Sequence, residues 1–380
     1  MKLVLGTDYI RFIQPGIIKH WGYPVEEIPV TTDDGYILTM HRIPRGKSGV
    51  RLDPATRPVV LLQHGLEASS SNWVTNMPWQ SLGFLMADLG WDVWMGNFRG
   101  NTYSKRHVNI SPSDDRFWAF SFDEMAKFDL PKMIDTVLKT TGRDQLYFVG
   151  HSEGTMTVFA QGSVDPNFGK KIKKFFALAP VAYLGHMGGL ISYIAPFTNQ
   201  LELLLKWIGG YGEFLPSNEL THLVAKYMCG PWGIQALCEN VLFLIAGADS
   251  KQMNETRIPV YLAHVPAGTS AQNVVHFGQC VNHPGRYPMY DWGKDVNMKK
   301  YGQATPPEYD MSKASVPTYI FRGDLDVLAD PTDVDLLTDQ LPDLKRVFRL
   351  PLFNHLDFIW GLNAPGQVYQ PIIKLIEEDL

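Results

Sequence analysis

Cysteine is scarce, at three residues among 380, too few for a disulfide scaffold. No apolar run approaches the roughly 20 residues that a bilayer-spanning helix needs, so no transmembrane segment is expected. The net charge is −5 with no block of like charge, which gives no reason to expect a nucleic-acid partner. No pair of histidines or cysteines shows metal-ligand spacing, so zinc hydrolysis lacks support and no metal is expected. Gly46-Lys-Ser48 has the ending of a phosphate-binding loop, but position 41 is His where that loop needs Gly. The apolar stub at Leu3-Val-Leu5 meets Asp8 and Arg11 too soon for a signal-peptide core. Either the chain is made without such a segment or the sequence begins after most of it. Charged residues are few (19%) while aromatics reach 12%, with ten Trp, a balance that suits a packed globule rather than disorder.

What is present alternates. Val25–Thr32 and Tyr36–Ile43 flank Asp33-Asp-Gly35, a tight-turn signal, and predict a hairpin. Pro58–Gln63 and Trp91–Met95 are short apolar runs suited to buried strands, with helix expected over Ser70–Leu89 and an early break at Pro78. Ser121-Phe-Asp-Glu124 reads as a capping box that opens a helix ending at Gly142, bent at Pro131. Further strands are expected at Leu146–Val149, Phe175–Val181 and Val316–Phe321. A hairpin followed by strand–helix alternation predicts an α/β fold, with a mostly parallel sheet covered by helices on both faces. Between about 185 and 310 that rhythm is lost. Leu201, Leu204, Leu205 and Ile208 recur at helical spacing, as do Leu220, Leu223, Val224, Tyr227 and Met228, so an inserted, mainly helical cap is expected between core segments 1–184 and 311–380. Cys229 and Cys238 fall inside it, either bridged or as two buried thiols, and Cys280 is expected to be a free core thiol.

The chemistry centres on Gly150-His-Ser152-Glu-Gly154. A β-forming run stops at Gly150 and a helical pattern begins after Gly154, the strand–turn–helix context of a nucleophile elbow. Side chains at 150 and 154 would collide with strand and helix, and the turn strains Ser152 while presenting its hydroxyl. The N–H that follows sits at a positive helix end, suited to a developing oxyanion. Upstream, Gln63 runs into His64-Gly-Leu66, where esterases and lipases place a second oxyanion donor. Downstream, Asp324, Asp326 and Asp330 follow the strand at 316–321. His355 is the one histidine of eleven that lies beyond Asp326. A serine–acid–histidine order along the chain therefore has a single candidate base.

Several stretches resemble the acid lipases, the family of gastric and lysosomal lipases. They include Trp21-Gly-Tyr-Pro24, Gln63-His-Gly-Leu66, Ser71-Asn-Trp-Val-Thr75 and Asp92-Val-Trp-Met-Gly-Asn97. Asp123-Glu-Met-Ala-Lys127, Pro266-Ala-Gly-Thr-Ser270, Asp291-Trp-Gly293 and His355-Leu-Asp-Phe-Ile-Trp-Gly361 match as well. Together the matching stretches cover nearly all the chain beyond residue 20. The resemblance implies an α/β-hydrolase fold, Ser152, Asp326 and His355 as catalytic residues, and oxyanion donors at the N–H groups of Leu66 and Glu153. It also implies a disulfide between Cys229 and Cys238, a lid near 215–245, neutral lipid substrates at a lipid–water interface, no cofactor, and an endolysosomal or secreted setting. Asn109-Ile-Ser111 and Asn254-Glu-Thr256 would be usable glycosylation sites in such a compartment. The chain departs from the family at Glu153, where Gln is usual. A carboxylate there would oppose an oxyanion, whereas a protonated one would be nearly isosteric with Gln, so acidic working conditions are expected.

Overall fold

A computed structural model describes residues 14–47, 49–50, 52–198, 212–215 and 251–380. Eight strands form one sheet in the order β1-β2-β4-β3-β5-β6-β9-β10. They are β1 (Glu26–Thr31), β2 (Ile37–Ile43), β3 (Val59–Gln63), β4 (Asp92–Met95), β5 (Leu146–His151), β6 (Ile172–Leu178), β9 (Thr318–Gly323) and β10 (Leu344–Leu350). Two residues each from β7 (Glu213–Phe214) and β8 (Thr269–Ser270) make a separate antiparallel ribbon.

Burial explains the order. Every residue of β3, β4 and β5 is buried, as strands covered on both faces require, and these three pair in parallel. The hairpin β1–β2 joins antiparallel at one edge, with Asp33-Asp-Gly35 in its turn and Gly35 at φ +98°. Exposed residues mark the other edge, β10, which pairs with β9 alone. The expected strands are therefore all present, shifted by a few residues at their ends.

The helices are less regular than expected. Over 70–89 the chain makes two 3-10 turns, Ser70–Trp73 and Pro78–Gln80, before a helix at Leu82–Asp88. Serine side chains compete with the helical ladder here: Ser69 Oγ takes the Ser71 N–H. The capping box forms, with Ser121 N–H donating to the Glu124 carboxylate at 2.8 Å. Between it and the helix Leu130–Thr141 lies a π-turn, Met125–Asp129, so the helix widens just before Pro131. Gly142 ends it in the left-handed region.

Between β6 and β9 the described residues include the helices Gly189–Ile194, Ile258–Leu262, Ala271–Val281 and Lys294–Tyr301. The leucine stripes at 201–208 and 220–228, the expected lid beyond Leu215, Cys229 and Cys238 lie outside the described residues. Cys280 is a buried free thiol. No helix among the described residues is long and apolar enough to cross a membrane.

Candidate active site

Ser152 stands between β5 and the helix Glu153–Val164 with φ 52° and ψ −121°, an unfavourable backbone for a residue with a Cβ. Neighbours leave this turn no choice of residue. A Cβ at 150 would lie 3.0 Å from the Gly154 backbone, and one at 154 would lie 2.7 Å from the carbonyl oxygens of Gln63 and His64. β3 and the helix thus pin the turn, and the collisions expected at both positions are found. The loop after β3 packs on the serine itself, since a Cβ at Gly65 would sit 2.8 Å from Ser152 Cβ.

Asp326 and His355 meet across 29 residues. His355 Nδ1 lies 2.9 and 3.0 Å from the two Asp326 carboxylate oxygens. Asp326 Oδ1 also accepts the N–H groups of Leu328 and Ala329 at 2.9 and 2.8 Å, which fixes the carboxylate before the histidine arrives. The two rival carboxylates are committed elsewhere. Asp324 pairs with Arg349, and Asp330 caps the helix Pro331–Gln340 through the Thr332 N–H. Geometry therefore selects Asp326 as the partner of His355.

The pair is joined to the elbow by a residue that the sequence does not flag as special. His151 Nε2 lies 3.0 Å from the His355 carbonyl oxygen, an acceptor only, so that nitrogen carries the proton and donates. The two rings are 4.8 Å apart between centroids. Burial and the neighbouring His355 push the His151 pKa well below the ordinary histidine value. His355 is thereby held against the residue next to Ser152, and all three side chains are almost fully buried. Ser152 Oγ makes no hydrogen bond among the described residues, and a serine–imidazole bond often tightens only when substrate is bound.

At the start of its helix, the Glu153 N–H has no intrahelical acceptor. Its carboxyl is buried, and Oε1 accepts from Asn273 Nδ2 at 2.6 Å. The Asn273 amide is oriented by Phe122, whose N–H donates to Oδ1 at 2.8 Å. Burial pushes the Glu153 pKa up to about 7, with the Asn273 bond opposing. A second buried carboxyl, Glu67, follows Leu66 at φ 56°. Its Oε2 accepts the Gly268 N–H at 3.0 Å and its carbonyl the Ala267 N–H at 2.7 Å. Burial again raises its pKa well above the usual carboxylate range, and Glu153 adds to that. Neither Glu67 nor Asn273 is marked by a local sequence signal; their partners lie 201 and 120 residues away.

Of the two sequons, Asn109 is exposed and Asn254 half-buried, its Oδ1 accepting from the Thr256 hydroxyl at 2.7 Å. No group of three His, Cys, Asp or Glu side chains among the described residues is arranged to hold a metal ion.

Sheet order and elbow together define an α/β-hydrolase. A family model described as "alpha/beta hydrolase fold" matches residues 58–362, and one described as "Partial alpha/beta-hydrolase lipase region" matches 15–77. The chain is 52% identical to Lipase lipl-5 of Caenorhabditis elegans, covering 98% of this chain and 94% of the relative. It is 46% identical to the gastric triacylglycerol lipase of Homo sapiens, covering 99% and 96%. Among solved structures, the epoxide hydrolase VrEH1 of Vigna radiata aligns with a TM-score of 0.52 at 16% identity, over 93% of this chain and 98% of that one. That likeness, to an enzyme of different chemistry, shows the fold alone. The chain belongs to the acid lipase family and is a lipase.

Proposed function

We propose that this lipase hydrolyses the carboxylic esters of neutral lipids, triacylglycerols or cholesteryl esters, at a lipid–water interface in an acidic, secreted or endolysosomal setting. Ser152 Oγ attacks the acyl carbonyl carbon while His355 Nε2 takes its proton. Asp326, bonded to Nδ1, keeps the imidazole in that tautomer and stabilises its charged form. The N–H groups of Leu66 and Glu153 hold the tetrahedral oxyanion. Collapse expels the alcohol, which receives the proton from His355. Water then adds to the acyl-enzyme by the same route and releases the fatty acid, with no cofactor.

One observation carries this assignment: the Asp326–His355 pair, joined through His151 to the turn that bears Ser152. Support for the substrate class comes from the near full-length likeness to gastric triacylglycerol lipases. Support for an acidic setting comes from the buried Glu153 carboxyl, which burial favours in its neutral form. We further assign 1–184 and 311–380 to the catalytic core and 185–310 to a cap, because the chain leaves the sheet after β6 and rejoins it at β9. The lid at 215–245, the Cys229–Cys238 disulfide, and glycans on Asn109 and Asn254 are assigned from the family resemblance.

Ser152→Ala is expected to abolish hydrolysis of emulsified long-chain triacylglycerol and labelling by a fluorophosphonate, with an unchanged circular dichroism spectrum. Near-native turnover in that variant would falsify the assignment. Faster native turnover on dissolved short-chain esters than on the emulsion would instead mark an esterase of small substrates.

A further inference from the structure

Crowding at Ser152 forces glycine at position 65, where a Cβ would lie 2.8 Å from the serine Cβ. Glycine has a penalty in return, because its permissive backbone leaves the 65–66 peptide free to turn over. That peptide is the one that matters. The Gly65 carbonyl and the Leu66 N–H are opposite ends of a single planar unit, pointing in opposite directions. Whatever holds the carbonyl therefore aims the N–H, and a flipped peptide would face an oxyanion with its own oxygen.

The Gly65 oxygen is held by the side chain just before it. His64 Nδ1 lies 2.8 Å from it, with the Ala68 N–H adding a longer bond at 3.3 Å. The histidine's tautomer is fixed from its far side. Phe98 N–H donates to His64 Nε2 at 3.1 Å, and Asn101 Nδ2 lies 3.1 Å from the same nitrogen. The Asn101 amide is itself oriented, since its Oδ1 accepts the Tyr103 N–H at 3.0 Å and its Nδ2 donates to Asn97 Oδ1 at 2.9 Å. Two donors thus face Nε2, which must be bare; Nδ1 carries the proton and donates to Gly65. The ring is 2% exposed, so no water competes for either nitrogen.

We propose that His64 is a positioning residue for ester hydrolysis: its Nδ1–H locks the Gly65 peptide so that the Leu66 N–H faces the oxyanion. The inference rests on Leu66 being an oxyanion donor, as assigned above. His64 touches no reacting atom. It stays neutral through mildly acidic conditions because burial lowers its pKa to about 4, so the lock holds in the setting proposed for the enzyme.

Two variants separate the ring's two bonds. His64→Asn places an amide donor near the Nδ1 position and has nothing at Nε2. His64→Gln places a carbonyl near Nε2 and loses the donor to Gly65. On a dissolved short-chain p-nitrophenyl ester, His64→Asn is expected to keep kcat within about threefold. His64→Gln is expected to lose about 10²-fold in kcat, the scale of removing one oxyanion donor, with KM within about twofold. Equal kcat in the two variants, whether native or reduced, would overturn the proposal, because a packing role does not distinguish the nitrogens. If His64→Gln is unfolded by circular dichroism, His64→Leu takes its place with the same expected loss. Exchanging Leu66 for its α-hydroxy acid counterpart removes the N–H without touching His64. Native kcat there would overturn Leu66 as a donor; a 10²-fold fall there beside native kcat in His64→Gln would overturn His64 alone.

Discussion

Glu153 serves two opposed ends. Its N–H is assigned to an oxyanion, while its side chain is a buried acid bonded to Asn273. Were the ionised carboxylate to stand about 4 Å from the oxyanion, it would oppose the transition state by about 4 kcal/mol at an effective dielectric near 20. With the carboxyl pKa raised to about 7 by burial, that opposition is absent in acid and grows as pH rises through 7. Glu153→Gln is therefore expected to match native kcat at pH 5 and to exceed it by up to about tenfold at pH 8. Superimposable pH–rate profiles would remove the idea. The same proton bears on stability. A carboxyl with a folded pKa above its unfolded value of 4.5 stabilises fully below pH 4.5, and the contribution is lost as pH rises to about 7. The thermal midpoint of the native chain should fall over that window more than that of the variant. At this scale the sequence was most informative about residues that must occur in order: Ser152 inside a constrained pentapeptide, and His355 as the last histidine. It was silent on Asn273, Glu67 and the tautomer of His64, because contacts made across 120, 201, and 34 to 37 residues leave no local pattern.

Elements were legible where side-chain periodicity and a turn residue agree. Asp34-Gly35 and two alternating runs gave the β1–β2 hairpin, and the uninterrupted apolar runs of β3 and β5 gave central strands. Residues 70–81 were not legible as two 3-10 turns, since Ser69–Ser71 satisfy one another through side chains rather than through helical period. Nor was the tie between hairpin and site loop. Arg99, buried after β4, donates to Asp129 from its backbone N–H and its Nε at 3.0 and 2.9 Å, and pairs bidentately with Asp34 in the hairpin turn at 2.6 and 2.9 Å. Its guanidinium also lies 3.9 Å from the Tyr36 ring centroid. Removing one member of such a cluster leaves buried charge uncompensated, at a penalty of about 3–5 kcal/mol. Arg99→Met is expected to destabilise the chain by that amount in denaturant titration, and an unchanged midpoint would show that the cluster is not a structural tie.

The proposed site draws on the ends of four separate strands. Leu66 follows β3, Ser152 follows β5, Asp326 follows β9 and His355 follows β10. The first three strands have neighbours on both sides, whereas β10 has one and is largely exposed. Sequence alternation sufficed for a mostly parallel sheet but not for its strand order; the proposed cap shows in the sequence only as a change of rhythm. Hung from the outermost seam, His355, the proposed proton acceptor, is the part of the site that warming should loosen soonest. Turnover should fade reversibly a few degrees before the calorimetric melt, and coincident curves would show that seam to be as firm as the core. Ester hydrolysis by this chain would then be a thermometer for its margin rather than for its centre.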